Sequence, residues 1–189
     1  MSSRTPKLFV ISGPSGAGKG TLVAQVRERL PHLGLAVSAT TRAPRAGEID
    51  GVTYHFLTDD EFTRRVDNGD FLEWAQVHDH RYGTLVSEVE RNLDAGRSLI
   101  LEIDVQGALA VKRRFPSAVL IFIEPPSLEI LRERLVGRGS ETEESLALRM
   151  ADAEEELKVA GVYGARLVND DLARATDELV ETLTSYERC

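Results

Sequence analysis

The sequence predicts an α/β domain built on a parallel sheet flanked by helices, and three observations carry that expectation. Short apolar runs rich in Val, Ile and Leu recur along the chain, each followed by a helix-like stretch. A glycine-rich run, SGPSGAGKGTL from Ser12 to Leu22, stands between the first apolar run and the first helical pattern. Two longer charged stretches then interrupt the alternation. Apolarity that is continuous rather than alternating belongs to strands covered on both faces, which is the habit of parallel sheets.

The strands are expected at KLFVIS, SLILEID, AVLIFIE and RLVND. After the glycine run, Leu22, Val23, Val26 and Leu30 fall on one helical face until Pro31 ends the pattern. From Ser38 to about Gly83 the text reads as an inserted subdomain, with turns at Gly47 and Gly51, a strand-like GVTYHFL, and a helix opened by the capping-box spacing of Thr58 and Glu61. From Pro125 to about Gly161 it is charged and helical, Pro125 and Pro126 opening one helix and GRGSETEES separating it from a second, as a flap would be built. Leu172, Ala175, Leu179 and Leu183 form the stripe of a closing helix, and Phe62, Phe71, Trp74 and Phe115 are expected in the core. One domain over residues 1–189 results, with a core at about 1–37, 84–124 and 162–189, an insert at about 38–83 and a helical segment at about 125–161.

At 189 residues, 42% of them hydrophobic, the chain can bury one sizeable core. Its 31 acidic and 23 basic residues give a net charge of −8, which argues against broad nucleic-acid or anionic-membrane binding, so any anionic ligand is held locally. The one cysteine, Cys189, permits no internal disulfide and no thiol cluster, which fits a reducing, cytoplasmic setting. No run of about 18 apolar residues and no signal-like leader occurs, so no membrane association is expected. His78 and His80 lack the further ligands that a zinc site requires.

Residues 13–19 spell G-x-x-x-x-G-K between an expected strand and an expected helix, the setting of a phosphate-binding loop. Successive backbone N–H groups and the positive end of the helix dipole surround a phosphate there, and Lys19 reaches the β and γ phosphates. With four lysines against nineteen arginines in the chain, a lysine here is not background. A dinucleotide fingerprint fails, because its third glycine would be Thr21. The residue after Lys19 is Gly20 where a magnesium-binding hydroxyl is usual, and Thr21, one step later, either serves the ion from a shifted position or leaves the place to water.

In the insert, Arg42 and Arg45 flank Pro44, which keeps the segment out of regular helix. Two guanidinium forks on a loop suit a phosphate monoester, with Ser38, Tyr54 and Tyr82 as hydroxyl donors. The alternative is a pair of surface arginines bound to Glu48 and Asp50. Glu102 and Asp104 stand at alternate positions at the carboxyl end of an expected strand, where ligands of open α/β sheets bind and where an acid can serve magnesium or its waters.

The segments SGPSGAGKGTL, SATTRAPRAGEIDGVTYHF, FLEWAQVHDHRYGT, LEIDVQG, GRGSETEESLALRM and VND together resemble the guanylate kinase family, in the same order and over nearly the whole chain. The resemblance implies a P-loop kinase core with an inserted GMP-binding subdomain and a helical lid, a fold that closes on ATP and GMP (or dGMP) and yields ADP and GDP with Mg²⁺ as cofactor. Its ATP site takes in Gly13, Pro14, Ser15, Gly16, Ala17, Gly18, Lys19, Gly20 and Thr21, with Arg134 and Asn169 beside them. Ser38, Arg42, Arg45, Tyr54 and Tyr82 hold the GMP phosphate and its surroundings, and Glu73, with Gly83 and Thr84, reads the guanine. Glu102 and Asp104 complete the GMP side, Asp104 and Thr21 also serving the metal, and the separate roles of the two acids stay open. Lys19, Arg42, Arg138 and Arg149 are the catalytic cations, and Arg134 lies either over the transferred group or against the adenine. Each lid arginine is alternatively a helix-surface residue paired with Glu133, Glu141 or Glu144.

A carboxylate at Glu73 accepts from both N1–H and the exocyclic amine of guanine, whereas adenine turns a lone pair towards it. The rival readings are a P-loop kinase for another small phosphate ester and a non-catalytic guanylate-kinase-like binding module, against which an intact Lys19 speaks. The oligomeric state is left open.

Overall fold

The computed structural model describes residues 5–77, 79–137 and 142–188. The chain opens with β1 (Leu8–Ser12), turns through the glycine run and enters α1 (Lys19–Arg29). Short strands β2 (Gly34–Leu35), β3 (Ala39–Thr40) and β4 (His55–Phe56) follow, then α2 (Asp59–Asp67), capped by Thr58, whose hydroxyl accepts the N–H of Glu61. A hairpin, β5 (Phe71–Val77) and β6 (His80–Leu85), leads directly into α3 (Val86–Asp94). Next come β7 (Leu99–Glu102), α4 (Val105–Arg114) and β8 (Val119–Glu124). Helices α5 (Leu128–Val136) and α6 (Glu143–Lys158) precede β9 (Ala165–Val168) and the closing α7 (Leu172–Glu187).

All five strands of the main sheet are parallel, in the order β2-β7-β1-β8-β9. The alternation along each strand divides the core into two. Phe9, Ile11, Ile100, Ile121, Ile123 and Leu167 face α1 and α7, while Leu8, Val10, Leu99, Leu101, Leu120 and Phe122 face the other side with α3 and α4. Because both faces are covered, β1, β7 and β8 read as unbroken apolar runs up to their last residues, Ser12, Glu102 and Glu124.

The second sheet, β4-β3-β6-β5, mixes a parallel β3–β4 pair with antiparallel β3–β6 and β5–β6 pairs. It has a small core of its own, Ala39, Phe62, Phe71 and Leu85, in which the rings of Phe62 and Phe71 stack at 4.3 Å. Helices α5 and α6 pack through Leu131, Leu135, Leu146 and Ala153.

Four local expectations change. GVTYHFL supplies only the two-residue β4, because the residues before it turn instead of pairing. Pro125 and Pro126 do not open α5: the helix starts at Leu128 behind Ser127, whose hydroxyl accepts the N–H of Ile130, and the prolines form the exit from β8. Trp74 is 46% exposed, since a register shift between Phe71 and Glu73 turns Glu73 inward and Trp74 outward. Leu172 is 41% exposed in the first turn of α7, ahead of the buried Ala175, Leu179 and Leu183. Phe115 lies partly buried against the α4 side of the sheet.

Phe9, fully buried between the sheet and α1, is a direct test of this arrangement. Phe9→Ala is expected to lower the unfolding free energy by about 3–5 kcal/mol in urea titration. A loss below about 1 kcal/mol would show that this face does not carry the core.

Candidate active site

Beyond β1 the chain bends sharply under β8. Gly13 has φ 143°, and a Cβ placed on it would stand 2.1 Å from the carbonyl oxygen of Ile123, so only glycine lets the loop lie against that strand. Gly18, at φ 89°, faces Asn169 in the same way, with the amide nitrogen 2.3 Å from where a Cβ would be. That amide donates to the Ala17 carbonyl at 2.8 Å, and Arg134 donates to the Asn169 carbonyl at 2.8 Å. Asn169, 6% exposed, thus holds the loop from outside, and Arg134 extends the same brace.

Lys19 folds back over its own loop, Nζ donating to the carbonyls of Gly13 at 2.6 Å and Pro14 at 3.1 Å. No side chain caps α1, so its first N–H groups turn into the loop that Lys19 closes. From α6, Arg149 Nη1 donates to the Ser15 hydroxyl at 3.2 Å, joining the second helical segment to the loop. Arg138 lies outside the described residues.

The carboxylate of Glu102 comes to this loop at its most open point. A Cβ on Gly20 would be 3.4 Å from Glu102 Oε1, an ordinary contact distance, so the acid lies directly against the helix start. Glu102 is exposed at the strand end, yet its carboxyl sits in the concavity, and this partial withdrawal from water raises its pKa while Lys19 lowers it. Asp104 caps α4 by accepting the N–H of Gly107 at 2.7 Å.

Across the concavity, a cleft of about 340 Å³ is lined by Ser38, Tyr54, Thr84 and Glu102 among others. Thr84 donates to Glu73 Oε1 at 2.7 Å from the facing strand. Gly83, between Thr84 and Tyr82, permits the close hairpin, since a Cβ there would lie 2.7 Å from the Glu73 carbonyl oxygen. Both Glu73 and Asp104 converge on Gly107, whose Cβ position is 3.3 Å from an oxygen of each. Burial raises the pKa of Glu73, the Thr84 hydroxyl pulls it down, and the charge of Asp104 raises it further.

Arg42 points between aromatic rings, its guanidinium carbon 5.4 Å from the centroid of Tyr54 and 5.9 Å from that of Phe56. The Tyr54 and Tyr82 rings meet edge-on at 6.2 Å. Arg42 also pairs with Glu48, so that part of the surface-pair alternative is present; Asp50 instead accepts the N–H of Phe56. Arg45 is exposed. The cleft therefore brings Glu102, which lies next to Gly20 of the loop, together with Ser38, Tyr54 and Thr84, and Thr84 in turn holds Glu73.

A further acid was not foreseen. Glu156 of α6 has its pKa raised by burial, against Lys19 and with Asp104 and Asp152, and its Oε2 has no hydrogen-bond partner among the described residues. In sequence it belongs to the acidic run DAEEE, which reads as a solvated helix face. Neutral hydroxyl and carboxylate oxygens at Thr21, Glu102 and Asp104 fit a hard cation, and among the described residues no three His, Cys, Asp or Glu side chains form a cage for one. That donor set suits magnesium carried mainly by phosphate oxygens and water.

The profile of the guanylate kinase family matches residues 5–186. Guanylate kinase from Caldanaerobacter subterraneus subsp. tengcongensis is 49% identical over 182 residues, covering 96% of this chain and 88% of that protein. The guanylate kinase of Gloeobacter violaceus is 51% identical over 181 residues, again 96% and 88% of the two chains. A crystal structure of guanylate kinase from Anaplasma phagocytophilum superposes with a TM-score of 0.76 at 32% identity, covering 99% of this chain and 89% of that one. An unliganded sugar kinase from Janibacter shares the fold alone, with a TM-score of 0.52 at 18% identity.

The Glu73 environment has a consequence for stability. A carboxyl whose pKa is raised by folding costs nothing below its unfolded pKa and destabilises the native state once pH climbs through the folded value. Glu73→Gln removes that cost, so the ligand-free variant is expected to melt above the parent protein at pH 7 and level with it near pH 4. Equal melting at both pH values would show that the carboxyl is not held in a desolvating site.

Proposed function

The chain belongs to the guanylate kinase family and phosphorylates GMP to GDP with ATP as donor, and we propose how its residues divide that work. The observation that carries the proposal is the cleft shared by Glu102, whose titration Lys19 alters, and Thr84, which holds Glu73.

The ATP triphosphate lies in the loop 13–21, against successive N–H groups, with Lys19 leaving its two carbonyls for the β and γ phosphates. Arg134 and Asn169 support the adenine side of that loop. GMP enters the cleft, with its phosphate held by Arg42 and Arg45 together with Ser38, Tyr54 and Tyr82. Glu73 accepts from guanine N1–H and the 2-amino group, and the Thr84 hydroxyl keeps its carboxylate oriented. Adenine leaves that acid facing a lone pair with no amine to bind, so the pairing is lost and repulsion added.

In the transfer a GMP phosphate oxygen forms a bond to the γ phosphorus, and the bond from that phosphorus to the β-bridging oxygen breaks, leaving ADP. The attacking oxygen is already ionised near neutral pH, so the protein needs no general base. Its task is to bring two polyanions together, and Lys19 and Arg42 from the walls, with Arg149 and Arg138 from the segment 125–161, supply the positive charge. The Thr21 hydroxyl and the carboxylates of Asp104 and Glu102 would hold magnesium brought in with ATP, and the ion would supply neutralisation of phosphate charge. The insert 38–83 and the segment 125–161 close on the core and exclude water, which prevents hydrolysis of ATP without acceptor. Among the described residues no helix is long and apolar enough to cross a membrane, and a chain with one cysteine suits a reducing cytoplasm.

A coupled assay of ADP formation with GMP, dGMP, AMP, CMP and UMP tests the scheme. Turnover is expected with the guanine nucleotides alone, and equal turnover of AMP would remove the base-reading role of Glu73. Lys19→Ala is expected to lower kcat by about 10²-fold or more. Glu73→Gln is expected to lower kcat/KM for GMP by about 10- to 100-fold, with KM for ATP unchanged.

A further inference from the structure

Between the two arginines assigned to the acceptor phosphate lies an acid to which that scheme gives no task. Glu48 sits six residues after Arg42 and three after Arg45, in a loop with no regular secondary structure. Its Oε1 and Oε2 accept from Arg42 Nη2 at 2.7 and 3.0 Å. Oε2 also accepts the backbone N–H of Arg45 at 2.7 Å. The pair is not a solvated surface contact, since the side chains of Arg42 and Glu48 are only 12% and 17% exposed.

Further contacts enclose Arg42. Its Nη1 donates to the Ala43 carbonyl at 2.8 Å, and its guanidinium lies between the rings of Tyr54 and Phe56. One edge of the guanidinium is therefore committed to Glu48 and Ala43. The Tyr82 hydroxyl also hydrogen-bonds this guanidinium, which joins Arg42 to a second residue assigned to the GMP phosphate.

We infer that Glu48 is a positioning residue for GMP: by gripping Arg42 Nη2 and the Arg45 N–H together, its carboxylate fixes the phosphate-holding loop before the nucleotide arrives. The inference rests on the assignment of Arg42 to the GMP phosphate. An arginine already ordered has little rotamer freedom to lose on binding, so affinity is not spent on arranging it. The opposing effect is repulsion between the carboxylate and the incoming phosphate. It is the weaker one here, because Glu48 is already neutralised by Arg42, and the guanidinium is joined as well to the Tyr82 hydroxyl assigned to the same phosphate.

Steady-state kinetics on the full-length protein distinguish the possibilities, with the only tryptophan of the chain, Trp74, next to Glu73, as a fluorescence reporter of GMP binding. Glu48→Gln is expected to raise KM and Kd for GMP about tenfold, with KM for ATP and the melting midpoint held close to those of the parent. In an Arg42→Ala background the same substitution is expected to change KM for GMP by less than about twofold, as it should if it acts through Arg42. A KM for GMP that is unchanged or lower in Glu48→Gln overturns the inference, the lower value identifying Glu48 as a competitor of the phosphate. It is also overturned if KM for ATP rises equally, or if the effect persists undiminished without Arg42, for then Glu48 only holds the loop together. If Arg42→Ala itself leaves GMP binding intact, the assignment of Arg42 fails and the role of Glu48 falls with it; if Arg42→Ala weakens GMP but Glu48→Gln does not, the assignment stands and only the inference fails.

Discussion

The contact of Gly13 with the Ile123 carbonyl is the constraint on which the rest of the site depends. With 2.1 Å between that oxygen and any Cβ at position 13, the loop can pass beneath β8 only as bare backbone. Passing there, it brings α1 up with its uncapped N–H groups directed into the turn and lets Lys19 fold back onto Gly13 and Pro14. Asn169 then closes the outer side against Gly18, and through its carbonyl ties in Arg134. A single steric fact thus links β1, β8, the end of β9 and α5 around the place of the triphosphate.

The two walls of the site rest on different kinds of structure. Lys19 at the start of α1, Glu102 at the end of β7 and Asp104 at the cap of α4 stand on the carboxyl side of a sheet covered on both faces. Glu73, Tyr82 and Thr84 stand on a hairpin whose own core consists of only a few side chains around Phe62 and Phe71. That hairpin is tied to the main body at β5, where Leu72 packs into the core beneath α4 and Arg114 of α4 donates to the carbonyls of Phe71 and Gly69.

Much of this was legible in the sequence, for physical reasons that differ from element to element. Strands β1, β7 and β8 of the main sheet announce themselves because burial on both faces demands nearly unbroken apolar runs, whereas β9 carries the exposed Arg166 and β2, at two residues, leaves no such mark. The phosphate loop is legible because glycines at fixed spacing are there for backbone geometry, and geometry of that kind has few other causes. Trp74 misleads because residue type suggests burial, while its direction is set by a register shift that composition does not reveal. Glu156 is hidden for the opposite reason: one acid in an acidic run is pressed against Lys19 and Asp104 by the way α6 packs, and nothing local distinguishes it from its neighbours. Asp104 could be recognised as an acid at a strand end but not as the cap of α4, a role visible only once Gly107 is seen to donate to it.

The acidity of the chain, at net charge −8, sets the terms on which it handles two polyanions. No general positive field draws them in, so cations must be in place where they are needed, and Lys19 and Arg42 are held by acceptors of the protein itself. Lys19 rests on two carbonyls with Glu102 and Glu156 near enough to alter their titration, and Arg42 rests on Glu48 and the Ala43 carbonyl. Ordering of these long side chains is therefore completed when the protein folds, which leaves less entropy to be lost when nucleotides bind. The acids lose water in the process, and the raised pKa of Glu73, Glu102 and Glu156 is the visible form of that cost. On the assignment proposed above, such a site discriminates by what completes it: a phosphate relieves the cations of their temporary partners, and at Glu73 only a base with donors on its pairing edge repays the desolvation of the carboxylate.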